Sequence, residues 1–240
     1  MDSHHVNKQF DAELTKLRQR ILEMGRLVQE QIADAISGFA DADLEKLNKV
    51  VDTDSVVNNI HVEIDEECSQ IIARRQPKAN DLRYVMAAAK MVTDLERIGD
   101  EAKKIALKAR LVILRQEEKQ LPLPKVGLRP SAEIALGMIA LSMDAFASLD
   151  TKMVFTIARE DKRVDREFRG IIRQLVTFML EDTRYISNAM EILLIAKAIE
   201  RIGDHAKNMA EYIIYIVEGR DIRHVQIIEP DDEIELDDMS

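Results

Sequence analysis

The chain has 240 residues, a net charge of −10, 46% hydrophobic and 32% charged side chains, 8 glycines, 5 prolines and no tryptophan. That composition excludes a disordered chain, and a single cysteine excludes a disulfide framework. Scarce aromatics and turn residues argue against β-sandwiches and barrels and for long helices.

In chain order, the first expected helix covers about 7–40. Phe10, Leu14, Leu17, Ile21, Met24, Val28, Ile32, Ala35 and Phe39 recur at threes and fours, which draws one apolar stripe along a helix roughly 50 Å long. A second helix is expected from about Asp43 to Arg75, stopped by Pro77. A third runs from about Asn80 to Gln116, with Asn80 or Asp81 as N-cap. Pro122, Pro124, Gly127 and Pro130 then mark a linker. Three more helices are expected: from Ser131 as N-cap to about Ser148, from about Thr151 to Leu180, and from about Thr183 to Glu218, where Gly219 supplies the stop.

The domain reading is a first three-helix bundle over 5–121, a proline-rich linker over 122–130, a second bundle over 131–225 and an acidic disordered tail over 226–240. Between Glu229 and Ser240 there are seven acids and no base, so the body carries only −3. No basic block or stripe stands out, so no nucleic-acid partner is expected. No apolar run reaches ~18–20 residues and the N-terminus is polar, so a soluble cytoplasmic protein is expected.

An internal repeat sets the architecture. Residues 95–106 read LERIGDEAKKIA and residues 199–210 read IERIGDHAKNMA, identical at eight of twelve positions with an offset of 104. A weaker echo sets Asp54-Ser-Val-Val-Asn58 against Asp161-Lys-Arg-Val-Asp165. The expected fold class is therefore all-α: two tandem pseudo-symmetric three-helix bundles.

Within the repeat, Glu96 with Asp100 and Glu200 with Asp204 lie at i and i+4, about 40° apart on a helix, where like charges repel by a few tenths of a kcal/mol. A hard cation with oxygen ligands would offset that repulsion, as would the neighbouring Arg97 and Arg201. Lys197, Glu200, Asp204, Asn208 and Glu211 form one polar stripe, and Asp161 and Asp165 offer a second acid pair on the preceding helix. A charge stripe is usually just a solvated face. Such a face gives no reason to keep two acids and a mid-helix glycine in both copies, since that glycine costs ~1 kcal/mol against alanine. Gly99 and Gly203 point instead to a close approach. His205 is expected to be a surface or capping residue, and Cys68 a small core residue. No Glu-x-x-His, His-Glu-x-x-His, Walker A or Gly-x-Ser-x-Gly motif occurs.

With ERIGD present twice, RQPKANDLR at 75–83, the stretch from Glu200 to Glu211 and EGRDIRH at 218–224, the sequence resembles the PhoU family of phosphate-regulation proteins over roughly residues 5–225. The resemblance implies a cytoplasmic, non-catalytic regulator coupling a phosphate ABC transporter ATPase to a sensor histidine kinase and restraining the phosphate-starvation regulon. Independently of the resemblance, long helices leave large apolar side surfaces, so a homodimer or heteromeric docking through a bundle face is expected, with the membrane reached only through partners. Divalent or iron ions would be held by Glu96, Asp100, Glu200 and Asp204, with Asp161 and Asp165 alongside. Arg97, Arg201, Lys197 and Asn208 would support them or dock a partner. A metal-dependent phosphohydrolase using the carboxylate groove is the rival reading, and lacks a poised histidine.

Overall fold

The computed structural model describes residues 3–119 and 123–222. Among the described residues run six long helices: α1 (Ser3–Ala40), α2 (Leu44–Arg75), α3 (Asn80–Lys119), α4 (Arg129–Ser148), α5 (Lys152–Glu181) and α6 (Ile186–Glu218), with a 3-10 turn at Thr183–Tyr185 before α6. No strand occurs among the described residues. The expected acidic tail and the first linker residue, Pro122, lie outside them.

The helix ends follow from local chemistry. The Asp43 carboxylate accepts a hydrogen bond from the Lys46 N–H at 2.9 Å, starting α2. Gln76 enters the left-handed region at φ 47° just before Pro77 and ends α2. Gly219 closes α6 at φ 72°, its N–H donating to the Tyr215 carbonyl. Two expected caps are corrected. Ser131 is buried within the first turn of α4, whose N-cap is Leu128 followed by Pro130. The Asn80 side chain accepts from the Arg83 guanidinium rather than capping α3. The last helix starts later than expected because Asp182 first turns the chain, accepting from the Arg184 N–H at 2.8 Å.

Each half is a three-helix unit, and the two units share one continuous apolar core. The α1 stripe (Leu17, Ile21, Met24, Val28, Ile32) is fully buried, as are Leu95, Ile98 and Ile105 of α3 and Ile199, Ile202 and Met209 of α6. Cys68 is a buried core residue, as its composition predicts. The halves meet where α3 packs against α6 and α1 against α4. α4 is long and apolar enough to cross a membrane by length and composition. It packs here against α1, α5 and α6, burying Met138, Ile139 and Phe146.

α3 and α6 run antiparallel. Their ion pairs descend along α6 as they climb α3: Asp94 with His205, Glu101 with Arg201 at 2.8 Å, Lys108 with Glu191 at 3.1 Å.

One expectation from the linear sequence is overturned on α5. Its solvent face aligns Arg159, Lys162, Arg166, Arg169 and Arg173, all exposed, in an unbroken basic stripe. Acids interleave with these residues in sequence, and the helix turns those acids onto other faces.

Candidate functional site: two carboxylate grooves

The repeated acids sit in two equivalent grooves, one between α2 and α3 and one between α5 and α6. An offset of 107 carries α2 onto α5, and 104 carries α3 onto α6. Thus Asp54 answers Asp161, Val57 answers Val164, Asn58 answers Asp165, and Lys103 answers Lys207. The glycines hold the helices close. A Cβ on Gly99 would stand 3.2 Å from Val57 Cγ1 and 3.4 Å from Gln31 Oε1. On Gly203 it would stand 3.6 Å from Val164 Cγ1 and 3.7 Å from Met138 Sδ. The glycine pair therefore lets α2 and α5 approach, as its position inside each motif predicts.

In the second groove, burial and then the charges of Glu200 and Asp161 push the Asp204 carboxyl up to about 6, although solvent still reaches that side chain. Asp165 adds to the rise and Lys197 opposes it. The Lys207 ammonium donates to Asp161 Oδ2 at 2.9 Å. Lys197 donates to Glu200 Oε1 at 2.6 Å, with its ammonium 5.5 Å from the Phe168 ring centre. All four acids named for this half are thus electrostatic neighbours.

In the first groove, burial raises the Glu96 carboxyl, with Asp100 next and His61 and Arg97 opposing. Burial also raises Asp100, followed by Asp54. Lys103 donates to Asp54 Oδ2 at 2.7 Å, matching Lys207 in the other half. Asp54 belongs to this groove, where its echo of Asp161 in the other half places it. Lys103 and Lys207 were missed, despite a legible signal: both repeats carry lysine there. The grooves differ in chemistry. Gln31, Asn58 and His61 of the first are Met138, Asp165 and Phe168 in the second, and Thr93 becomes Lys197.

Two side chains assigned beside the acids, Arg201 and Asn208, are placed elsewhere. Arg201 pairs with buried Glu101 across the α3–α6 junction. Asn208 turns toward Asp94 at 3.4 Å, away from the groove. His205 is buried with its Nδ1 2.8 Å from Asp94 Oδ1, correcting the expected surface role. Arg97 is exposed and makes no ion pair among the described residues.

The donors suit a hard cation. They are carboxylate and amide oxygens, and Gln31 Oε1, Asp54 Oδ1 and Asn58 Oδ1 are buried with no hydrogen-bond partner. Raised carboxyl pKa values mean that a cation would relieve repulsion already present. Among the described residues no three His, Cys, Asp or Glu side chains converge as a ready ligand set. The lysine ammoniums supply the local positive charge instead.

A family profile described as PhoU domain matches residues 21–109 and 128–213, once per half. The chain is 43% identical over 233 residues to the phosphate-specific transport system accessory protein PhoU homolog of Pseudomonas aeruginosa, covering 97% of this chain and 95% of that one. It is 43% identical over 229 residues to the accessory protein PhoU of Escherichia coli K12, covering 94% and 93%. Its fold superposes on the crystal structure of PhoU from P. aeruginosa with a TM-score of 0.82, covering 88% of this chain and all of that one. The phosphate transport system regulatory protein PhoU from Streptococcus pneumoniae gives 0.79 at 28% identity.

Proposed function

Because the chain belongs to the PhoU family, we propose that it is a cytoplasmic accessory regulator of phosphate transport. In this reading it couples the phosphate ABC transporter's ATPase to a sensor histidine kinase and restrains the phosphate-starvation regulon when phosphate is plentiful. The observation that carries the reading is 43% identity over nearly the full length to transport-system accessory proteins, with the duplicated PhoU unit spanning both halves. Deletion of the gene tests it. Starvation genes should be expressed in phosphate-rich medium, and normal repression there would refute the role.

The grooves fit a cation-sensing part in that role. Asp54, Asn58, Glu96 and Asp100 would hold a divalent or iron ion in the first half, and Asp161, Asp165, Glu200 and Asp204 in the second. A bound ion would supply positive charge, and Lys103 and Lys207 would release their carboxylates to it. The chain needs no catalytic step for this. Absence of phosphatase activity in metal-loaded protein is the expected result, and turnover would favour the hydrolase reading.

Self-association is part of the proposal. Leu107, Leu111 and Leu114 of α3 and Ile186, Met190 and Leu194 of α6 are exposed apolar side chains at one end of the α3–α6 pair. They flank the Arg115–Glu191 ion pair. A second copy covering them would remove this apolar surface from water. Light scattering should give twice the 27.4 kDa chain mass, and Leu111→Glu with Met190→Glu should give the monomer.

A further inference from the structure

The basic stripe on α5 has no use in the reading above. Arg159, Lys162, Arg166, Arg169 and Arg173 follow one another at +3, +4, +3 and +4. At about 100° and 1.5 Å per residue they occupy an arc of roughly 80° and a line roughly 20 Å long. The same line continues into Val176 and Leu180, which are 45% and 83% exposed. The opposite side of α5 is buried through Val154, Ile157, Val164, Ile171 and Leu175. Arg169 reaches Asp165 only at 4.0 Å. Arg159, Lys162, Arg166 and Arg173 make no ion pair among the described residues. Surface cations normally alternate with acids. Four unneutralised cations on one line, ending in exposed valine and leucine, therefore leave both a positive field and an apolar edge facing solvent.

We infer that the outer face of α5 is a docking surface for a bilayer carrying anionic phospholipids. Guanidinium groups meet phosphate oxygens through two parallel hydrogen bonds. A basic face with bulky aliphatic residues on the same line is the pattern of a helix lying in the headgroup plane. An exposed helix ridge fits a flat surface and offers a peptide no groove. Duplex nucleic acid would press Leu180 and Val176 against phosphates, and the stripe has no aromatic on which bases could stack. Among the described residues, α5 packs on α4, the 3-10 turn and α6 alone. Docking there leaves the α1–α3 half clear of the bilayer for a soluble partner. The sequence alone placed the chain at a membrane only through partners; this surface provides direct contact. It stands independently of metal in the grooves.

Sedimentation of the full chain with phosphatidylcholine–phosphatidylglycerol vesicles tests the inference, with pure phosphatidylcholine vesicles as control. Binding should need phosphatidylglycerol and weaken as salt rises. Each basic residue near an anionic leaflet contributes roughly fivefold, so Lys162→Gln, Arg166→Gln and Arg173→Gln together should lose roughly a hundredfold. All three positions are exposed, so circular dichroism should report an unchanged fold. Leu180→Asp should weaken binding several-fold with the stripe intact. Equal vesicle binding by the triple variant overturns the inference. So does tighter retention by single-stranded RNA than by vesicles at physiological salt. The acidic segment from Glu229 to Asp238 is the internal competitor. If the full chain binds only after its acids are changed to Asn and Gln, the stripe belongs to that segment and lipid docking is overturned.

Discussion

His205 Nδ1 stands 2.8 Å from Asp94 Oδ1, and both side chains are buried where α3 crosses α6. One residue comes from each half of the duplication. Their positional counterparts are Glu101 and Ala198, so the repeat differs where its two copies meet. Glu101 instead takes Arg201 from the other half and Lys104 from its own helix. The junction is thus an asymmetric set of buried acids, each held by a base across the crossing.

His205→Ala should destabilise the protein by roughly 2–3 kcal/mol, because it leaves Asp94 buried with only the long Asn208 contact. For a chain of this size that lowers the melting temperature by roughly 5–10 °C. Asp94→Ala with His205→Ala should cost less than the two single changes added together, since the partners fail together. Calorimetry of the four-protein cycle measures this, and strict additivity would show that the two side chains do not interact.

The grooves make stability pH-dependent with a definite sign. The Asp204 carboxyl is raised in the fold to about 6 from an ordinary 3.8, so between those values the native state binds more protons than the unfolded chain. Stability from this group is full below the unfolded pKa and falls as pH rises toward 6. Glu96 and Asp100 act in the same direction. Without added metal, wild type minus Asp204→Asn should lose stability between about pH 4 and pH 6 and level off above. Urea midpoints across that range provide the curve, and a flat difference would show that the Asp204 carboxyl is not raised in the fold.

Glu200→Gln with Asp204→Asn should lower metal retained after dialysis, measured by elemental mass spectrometry, with helicity unchanged. Removing the repulsion also leaves the metal-free fold no less stable. Metal content equal to wild type would overturn the ligand assignment for the second groove.

Gly99 and Gly203 share a motif and should answer mutation differently. Alanine recovers up to ~1 kcal/mol of helix propensity at either site. At Gly203 the new Cβ meets neighbours at ordinary contact distance, 3.6 Å and beyond, so Gly203→Ala should stabilise. At Gly99 it meets Val57 at 3.2 Å, with Gln31 Oε1 at 3.4 Å, and Gly99→Ala should gain nothing or lose. Paired thermal melts decide, and equal shifts would show that the first groove relaxes freely.

Much of this protein is legible in the order of its residues. Spacing along Leu17, Ile21, Met24, Val28 and Ile32 gives α1, Pro77 ends α2, Gly219 ends α6, and the duplicated ERIGD gives two like halves and their acids. These signals are local or repeated at a fixed offset, so one dimension holds them. Which base neutralises which acid is decided by helices far apart in sequence. Arg201 sits beside Glu200 in the chain and pairs with Glu101. His205 follows Asp204 and pairs with Asp94. Helical rotation turns each residue roughly 100° from its neighbour, so adjacency in sequence separates side chains that packing then assigns to other helices. The same rotation gathers Arg159, Lys162, Arg166, Arg169 and Arg173 onto one line, and burial of the opposite side of α5 against α4 and α6 decides that this line faces outward.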